Sequence, residues 1–167
     1  TVQFNLSGAV SGIGIDLLTG QGTGAVSWTG IEVAAGSLGS GDDSFTAGIQ
    51  LGSIYGGAGI DSVTLDYSGA LADGRTVTQV SFSGLQNGFY EYVFGTAINA
   101  QFDISGFERF TITGSVGDDY LVGGNFGNTF IGGAGNDILT GGTGDDNLYG
   151  GSENDTLNAG AGGTDIL

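Results

Sequence analysis

From residue 114 the chain can be cut every nine residues without a gap: GSVGDDYLV, GGNFGNTFI, GGAGNDILT, GGTGDDNLY, GGSENDTLN and AGAGGTDIL, ending at residue 167. A unit this short cannot bury its own apolar residue, so it must stack on copies of itself. Position eight of the first five blocks holds Leu121, Phe130, Leu139, Leu148 and Leu157, and position six holds Asp119, Asn128, Asp137, Asp146 and Asp155. In the sixth block Asp165 and Leu167 stand one place late, as if Gly163 were inserted, which sets Asp165 apart. The rhythm also runs through LGSGDDSFT (38–46), AGIQLGSIY (47–55) and GGAGIDSVT (56–64), with Asp43 and Asp61 at position six. The middle block of these three has lost its carboxylate and keeps Ile54 at position eight, so packing outlasts ligation there.

A longer period lies over the short one. Sliding residues 1–64 by 76 places gives 16 identities without a gap, among them Gly30 and Glu32 on Gly106 and Glu108, and Asp42-Asp43 on Asp118-Asp119. This reads as a tandem duplication: a first solenoid unit over 1–76 with degenerate repeats at 38–64, and a second over 77–167 with repeats at 114–167. An ungapped period suits stacked coils better than two tethered globules.

Within a block, the glycines at positions one, two and four permit a tight turn, and the remaining residues form a short strand whose middle side chain points inward. Two blocks then close one coil, and blocks 18 residues apart stack on the same side. Further strand signals cover Val2–Leu6, Val77–Phe82, Phe89–Phe94 and Phe107–Ile112. No long segment carries a helical period, and glycine recurs too often to leave a helix interior intact. The predicted fold is all-β, a solenoid of parallel strands.

Charge then restricts the chemistry. Eighteen acidic residues face only Arg75 and Arg109, a formal charge of -16, and the chain has no His, Cys, Lys or Met. There is no imidazole base, thiolate or Schiff-base amine, so the chain is not expected to be an enzyme. Such a charge repels nucleic acid and anionic lipid, and no apolar run is long enough for membrane insertion. Stacking would set position-six carboxylates about 4.8 Å apart, where two charges repel by about 1 kcal/mol in water and by more at lower dielectric. The counter-charge must come from solution. Carboxylates and turn carbonyls make a hard all-oxygen cage suited to Ca²⁺, whereas Mg²⁺ demands a stricter octahedron and transition metals prefer ligands that are absent.

These blocks resemble the hemolysin-type RTX nonapeptide repeat, GGxGxDxUx, closely over 114–158 and well over 38–64. The resemblance implies a right-handed parallel β-roll with several Ca²⁺ ions bound between turns, and export from a Gram-negative bacterium by type I secretion machinery. It implies as metal ligands Asp119, Asp137 and Asp155 on one edge and Asp146 on the other, with Asp43 and Asp61 an isolated pair. Carbonyls near Gly132, Ala134, Gly141 and Thr143 would complete the shells, and Asp165 and Asn128 hold the same position in altered form. Asn128 lacks the charge, Phe126 replaces a turn glycine and Glu153 stands at position four, so those sites are expected to be weaker or empty.

Other residues admit plainer readings. Asp42, Asp118 and Asp145 at position five are expected to add field rather than bonds, because successive side chains of an extended run point to opposite sides. Glu32 and Glu108 are each expected to cap a turn or meet Arg109, not to pair as a hydrolase. Phe89, Tyr90, Tyr92 and Phe94 are expected in the core ahead of a carbohydrate platform. The sequence, with no initiator Met and a last block cut inside the pattern, reads as a segment of a longer protein. The function expected is a calcium-folded structural or adhesive module, extracellular or on the cell surface, with the non-catalytic C-terminal module of a secreted enzyme or toxin as the alternative. Open coil ends leave strand edges for self-association into filaments or a lattice.

Overall fold

The computed structural model describes residues 2–5, 14–16, 21–23, 34–47, 53–69, 77–85, 88–95 and 98–167. They form sixteen strands: β1 (Val2–Asn5), β2 (Gly14–Asp16), β3 (Gln21–Thr23), β4 (Ala34–Ser37), β5 (Ser44–Ala47), β6 (Ile54–Tyr55), β7 (Ser62–Asp66), β8 (Val77–Leu85), β9 (Gly88–Gly95), β10 (Ile98–Ser105), β11 (Arg109–Thr113), β12 (Tyr120–Val122), β13 (Thr129–Ala134), β14 (Ile138–Gly142), β15 (Asn147–Ser152) and β16 (Thr156–Gly160). No helix occurs among the described residues. One sheet runs β1-β4-β6-β10-β9-β8-β12-β14-β16 and the other β15-β13-β11-β7-β5-β2-β3. From β4 onward, outside the meander β8 to β10, successive strands alternate between the sheets and pair in parallel with the strand one coil away. This is a β-solenoid of about five turns.

Position eight builds the core. Leu121 pairs in register with Leu139, and Leu139 with Leu157, on one sheet; Phe45 pairs with Val63, and Phe130 with Leu148, on the other. Phe45, Ile54, Leu121, Phe130, Leu139 and Leu148 are fully buried. Only Leu157, in the last coil, is half-buried. Burying each such side chain contributes about 1.5–3 kcal/mol, and a large apolar side chain directly above and below sets the register from coil to coil.

Among the described residues two features depart from an uninterrupted parallel stack. β2 and β3 pair antiparallel, and β8, β9 and β10 form an antiparallel meander between β6 and β12. The links between β8 and β9 and between β9 and β10 hold two residues each, and a parallel return needs a dozen or more. The 76-residue offset carries β4, β5, β6 and β7 onto β11, β12, β13 and β14, yet each recurs on the opposite sheet. The meander fills one half-coil place, so the offset spans an odd number of half-coils. On the other sheet β7 and β11 pair directly, from Ser62 with Arg109 to Asp66 with Thr113, so hydrogen bonding is continuous across residue 76.

Candidate metal centre

The position-six carboxylates form two ladders. On the edge leading into β12, β14 and β16, the N–H of Asp119 donates to Asp137 Oδ1 at 2.8 Å, and that of Asp137 to Asp155 Oδ1 at 3.0 Å. On the edge leading into the other sheet, Asn128 N–H donates to Asp146 Oδ1 at 2.7 Å and Asp146 N–H to Asp165 Oδ1 at 3.0 Å. Asp165 therefore rejoins the column at a spacing of 19. The extra residue is absorbed around Gly162 and Gly163, whose φ values of 93° and 76° suit glycine. Asp43 N–H likewise donates to Asp61 Oδ1 at 2.7 Å. This pair is not isolated: β5 and β7 lie in the same sheet as β13 and β15, so it shares an edge with Asn128, Asp146 and Asp165.

Each ladder bond uses Oδ1 and leaves Oδ2 to be accounted for. Asp61, Asp137 and Asp146 are at most 1% exposed, and the Oδ2 of each has no hydrogen-bond partner. A side chain added to Gly132 would run into both Asp137 Oδ2 and the Gly150 carbonyl. At Gly141 the same space is shared by Asp146 Oδ2 and Ala159 O. The position-one glycine is thus required by close approach; positive φ belongs to position two, as in Gly133 at 118°, and to position four, as in Gly135 at 120°. Glu153, at position four, takes φ 81° with a side chain attached, a strained conformation that marks its block as irregular.

Asn128 shows what such a seat needs. Its Nδ2 lies in front of Gly123 as the aspartate Oδ2 atoms lie in front of Gly132 and Gly141. From there it donates to Phe126 O at 2.6 Å, Gly141 O at 3.0 Å and Asp146 Oδ1 at 3.0 Å, while its own Oδ1 accepts Phe110 N–H at 3.3 Å. The amide supplies positive hydrogens to a ring of oxygens. An aspartate in the same place turns oxygen toward oxygen and requires a cation or a proton between them.

The remaining expected ligands take varied places. Asp119 and Asp43 head their columns and are held by position-two backbone: Ser115 N–H donates to Asp119 Oδ2, and Gly39 N–H to Asp43 Oδ2 at 2.8 Å. Ser115 Oγ adds a bond to Asp119 Oδ1 at 2.9 Å, a contact the sequence reading missed. Asp155, in the last coil, is half-buried. Gly132 O faces the Gly114 and Asp119 Oδ2 pocket, as Gly141 O faces Gly123. Ala134 and Thr143 are seen through their N–H groups, which donate to Ser115 O and Gly124 O. Among the described residues no three carboxylates gather into a metal cluster, so each seat draws on one or two carboxylates and on carbonyls. That donor set fits a hard divalent ion with oxygen ligands. Calcium, when bound, supplies the positive charge that these oxygens otherwise lack.

Position five does more than add field. Asp42, Asp118 and Asp145 are exposed, and each Oδ1 accepts the N–H one coil on: Ile60 at 2.9 Å, Asn136 at 2.8 Å and Thr164 at 2.7 Å. Glu108 also acts on backbone, its Oε2 accepting Asp61 N–H at 2.8 Å. Glu32 and the side chains of Phe89, Tyr90, Tyr92 and Phe94 lie outside the described residues. Arg109 is exposed, its guanidinium 6.0 Å from the centre of the Phe126 ring.

Without a cation, burial raises the Asp137 carboxyl to about 6, and the charges of Asp119, Asp155 and Asp118 add to it against the N–H bond from Asp119. Burial also raises Asp61, with Asp43, Glu108 and Asp42 contributing. An unfolded aspartate ionises near 3.9. A raised folded value means that the folded, metal-free chain binds protons more tightly, so its stability is fullest below about pH 4 and falls as pH rises through about 6. In EDTA the β signal in circular dichroism is therefore expected to grow as pH is lowered from 7.5 to 5. A flat signal over that range contradicts the orphaned-oxygen account.

A family model described as RTX calcium-binding nonapeptide repeat (4 copies) matches residues 111–130, 122–157 and 131–167. No curated protein matches the chain.

Proposed function

From the match of residues 111–167 to the RTX calcium-binding nonapeptide repeat we propose that the chain is a structural or adhesive module of a secreted or cell-surface bacterial protein, exported unfolded by a type I system and folded by external calcium. The observation that carries the reading is the set of buried aspartates whose second oxygen faces carbonyls with no donor. Such a fold is opposed wherever calcium is scarce. The charge of -16 and 37 glycines add self-repulsion and backbone entropy to that opposition. Extracellular calcium modules bind with Kd of about 10⁻⁴ to 10⁻³ M, so submicromolar cytosolic calcium leaves the chain open and millimolar calcium outside closes it. A structural role is supported by coils that continue upstream of the matched repeats through β4 to β7. The calcium midpoint of folding is expected between about 0.1 and 1 mM. A midpoint below 1 μM means folding before export and removes the reading.

A further inference from the structure

The turn before β11 is not a nonapeptide, yet it copies the geometry of one. Because Arg109 pairs in register with Ser62, Glu108 stands opposite Asp61 at the position-six level. Its Oε2 accepts Asp61 N–H at 2.8 Å, as Asp61 Oδ1 accepts Asp43 N–H, so the ladder runs Asp43, Asp61, Glu108. Backbone closes the reverse path: the N–H groups of Glu108 and Arg109 donate to Asp61 O at 3.0 and 3.1 Å. In front of Gly56, Asp61 Oδ2 shares its space with the carbonyl of Gly106, just as Asp137 Oδ2 shares its space with that of Gly150. Asp61 is 0% exposed and this Oδ2 has no partner.

We propose that Asp61, Glu108 and the Gly106 carbonyl form a divalent-cation site outside the matched repeats, which clips the strand that follows the meander onto the coil that precedes it. This rests on the calcium reading of the chain but concerns a turn to which no repeat match extends. The rungs within the nonapeptides join residues 18 or 19 apart, whereas this one joins residues 47 apart and encloses β8, β9 and β10. Closing a long loop is where a cross-link has most chain entropy to remove. The preferred ion is hard and oxygen-seeking, calcium ahead of magnesium, because two carboxylates and a carbonyl give an irregular shell that water completes.

Two substitutions test the site in the full chain. Glu108→Gln keeps the length and an acceptor for Asp61 N–H but halves the charge of the seat. Asp61→Asn places an amide where Asn128 has one, able to donate to Gly106 O without a metal. Calcium stoichiometry by isothermal titration is expected to fall by one ion in either variant. Amide hydrogen exchange is expected to show a loss of calcium-dependent protection at residues 56–62 and 105–111, with 132–158 unchanged. A count and protection pattern equal to wild type in both variants overturns the site, and leaves the calcium reading standing if Asp137→Asn still loses its ion. A wild-type chain that takes up no calcium removes both.

Discussion

Stripped of divalent ions with EDTA at neutral pH, the chain is expected to lose most of its β signal, and to regain it on addition of calcium but not of an equal concentration of magnesium. Three buried aspartates, Asp61, Asp137 and Asp146, have an oxygen without a donor. An ionised buried group in that state costs at least about 1–3 kcal/mol each. A cation in each seat removes that cost, and the gain is read as linkage: at ten times Kd, one independent site contributes about 1.4 kcal/mol, and three contribute about 4. Against a domain stability of about 5–15 kcal/mol the swing decides between folded and unfolded. Magnesium serves as the control because its octahedral demand and reluctant dehydration suit poorly a seat made of glycine-turn carbonyls. Circular dichroism with light scattering alongside separates folding from assembly through the exposed edge strand β16. A spectrum indifferent to EDTA would mean that the hydrophobic ladder alone holds the coils, and that the orphaned oxygens are satisfied by protons.

Much of this was legible in the sequence because the signal is periodic. Position eight named the core from Phe45 to Leu148, and position six named the buried carboxylates, since a nine-residue half-coil converts spacing directly into stacking. The meander was not read, although Asn87-Gly88 between two apolar runs is a strong hairpin signal. The duplication hides it, because an ungapped 76-residue alignment argues for coils throughout. The position-six place of Glu108, expected only to cap a turn or meet Arg109, is hidden for a related reason. Counting back from Asp119 by nines or eighteens never lands on it: it lies eleven residues before Asp119, and its place is set by the pairing of Arg109 with Ser62. The extra two residues reappear across β11, where Phe110 pairs with Val63 but Ile112 pairs with Phe130. A shift of two keeps every side chain on its own face, so the core stays continuous while the count slips. The role of Asn128 was legible only as a missing charge; that its amide takes the place of the ion required hydrogen-bond geometry.

That amide supports a reciprocal exchange with a large expected effect. Asp137→Asn puts two hydrogens where Oδ2 now faces the Gly150 carbonyl, while the retained Oδ1 still accepts Asp119 N–H. The variant is expected to bind one calcium ion fewer than wild type and, in EDTA at pH 7.5, to be more stable by about 1–3 kcal/mol, the cost of the unsatisfied buried oxygen. For a chain of this length that corresponds to a rise in Tm of about 2–12 °C. Asn128→Asp is the mirror image. It withdraws donors from Phe126 O, Gly141 O and Asp146 Oδ1, so the metal-free chain is expected to weaken by a similar amount and the calcium count to rise by one. Calorimetric stoichiometry, and thermal melts in EDTA with sucrose added to hold the metal-free chain folded, read both variants. If the seat were merely a packing position, both exchanges would be nearly isosteric and both would leave ion count and Tm unchanged. Opposite shifts in the two variants would show that one chemical requirement, positive charge among turn carbonyls, is met by an ion at Asp137 and by the protein's own amide at Asn128.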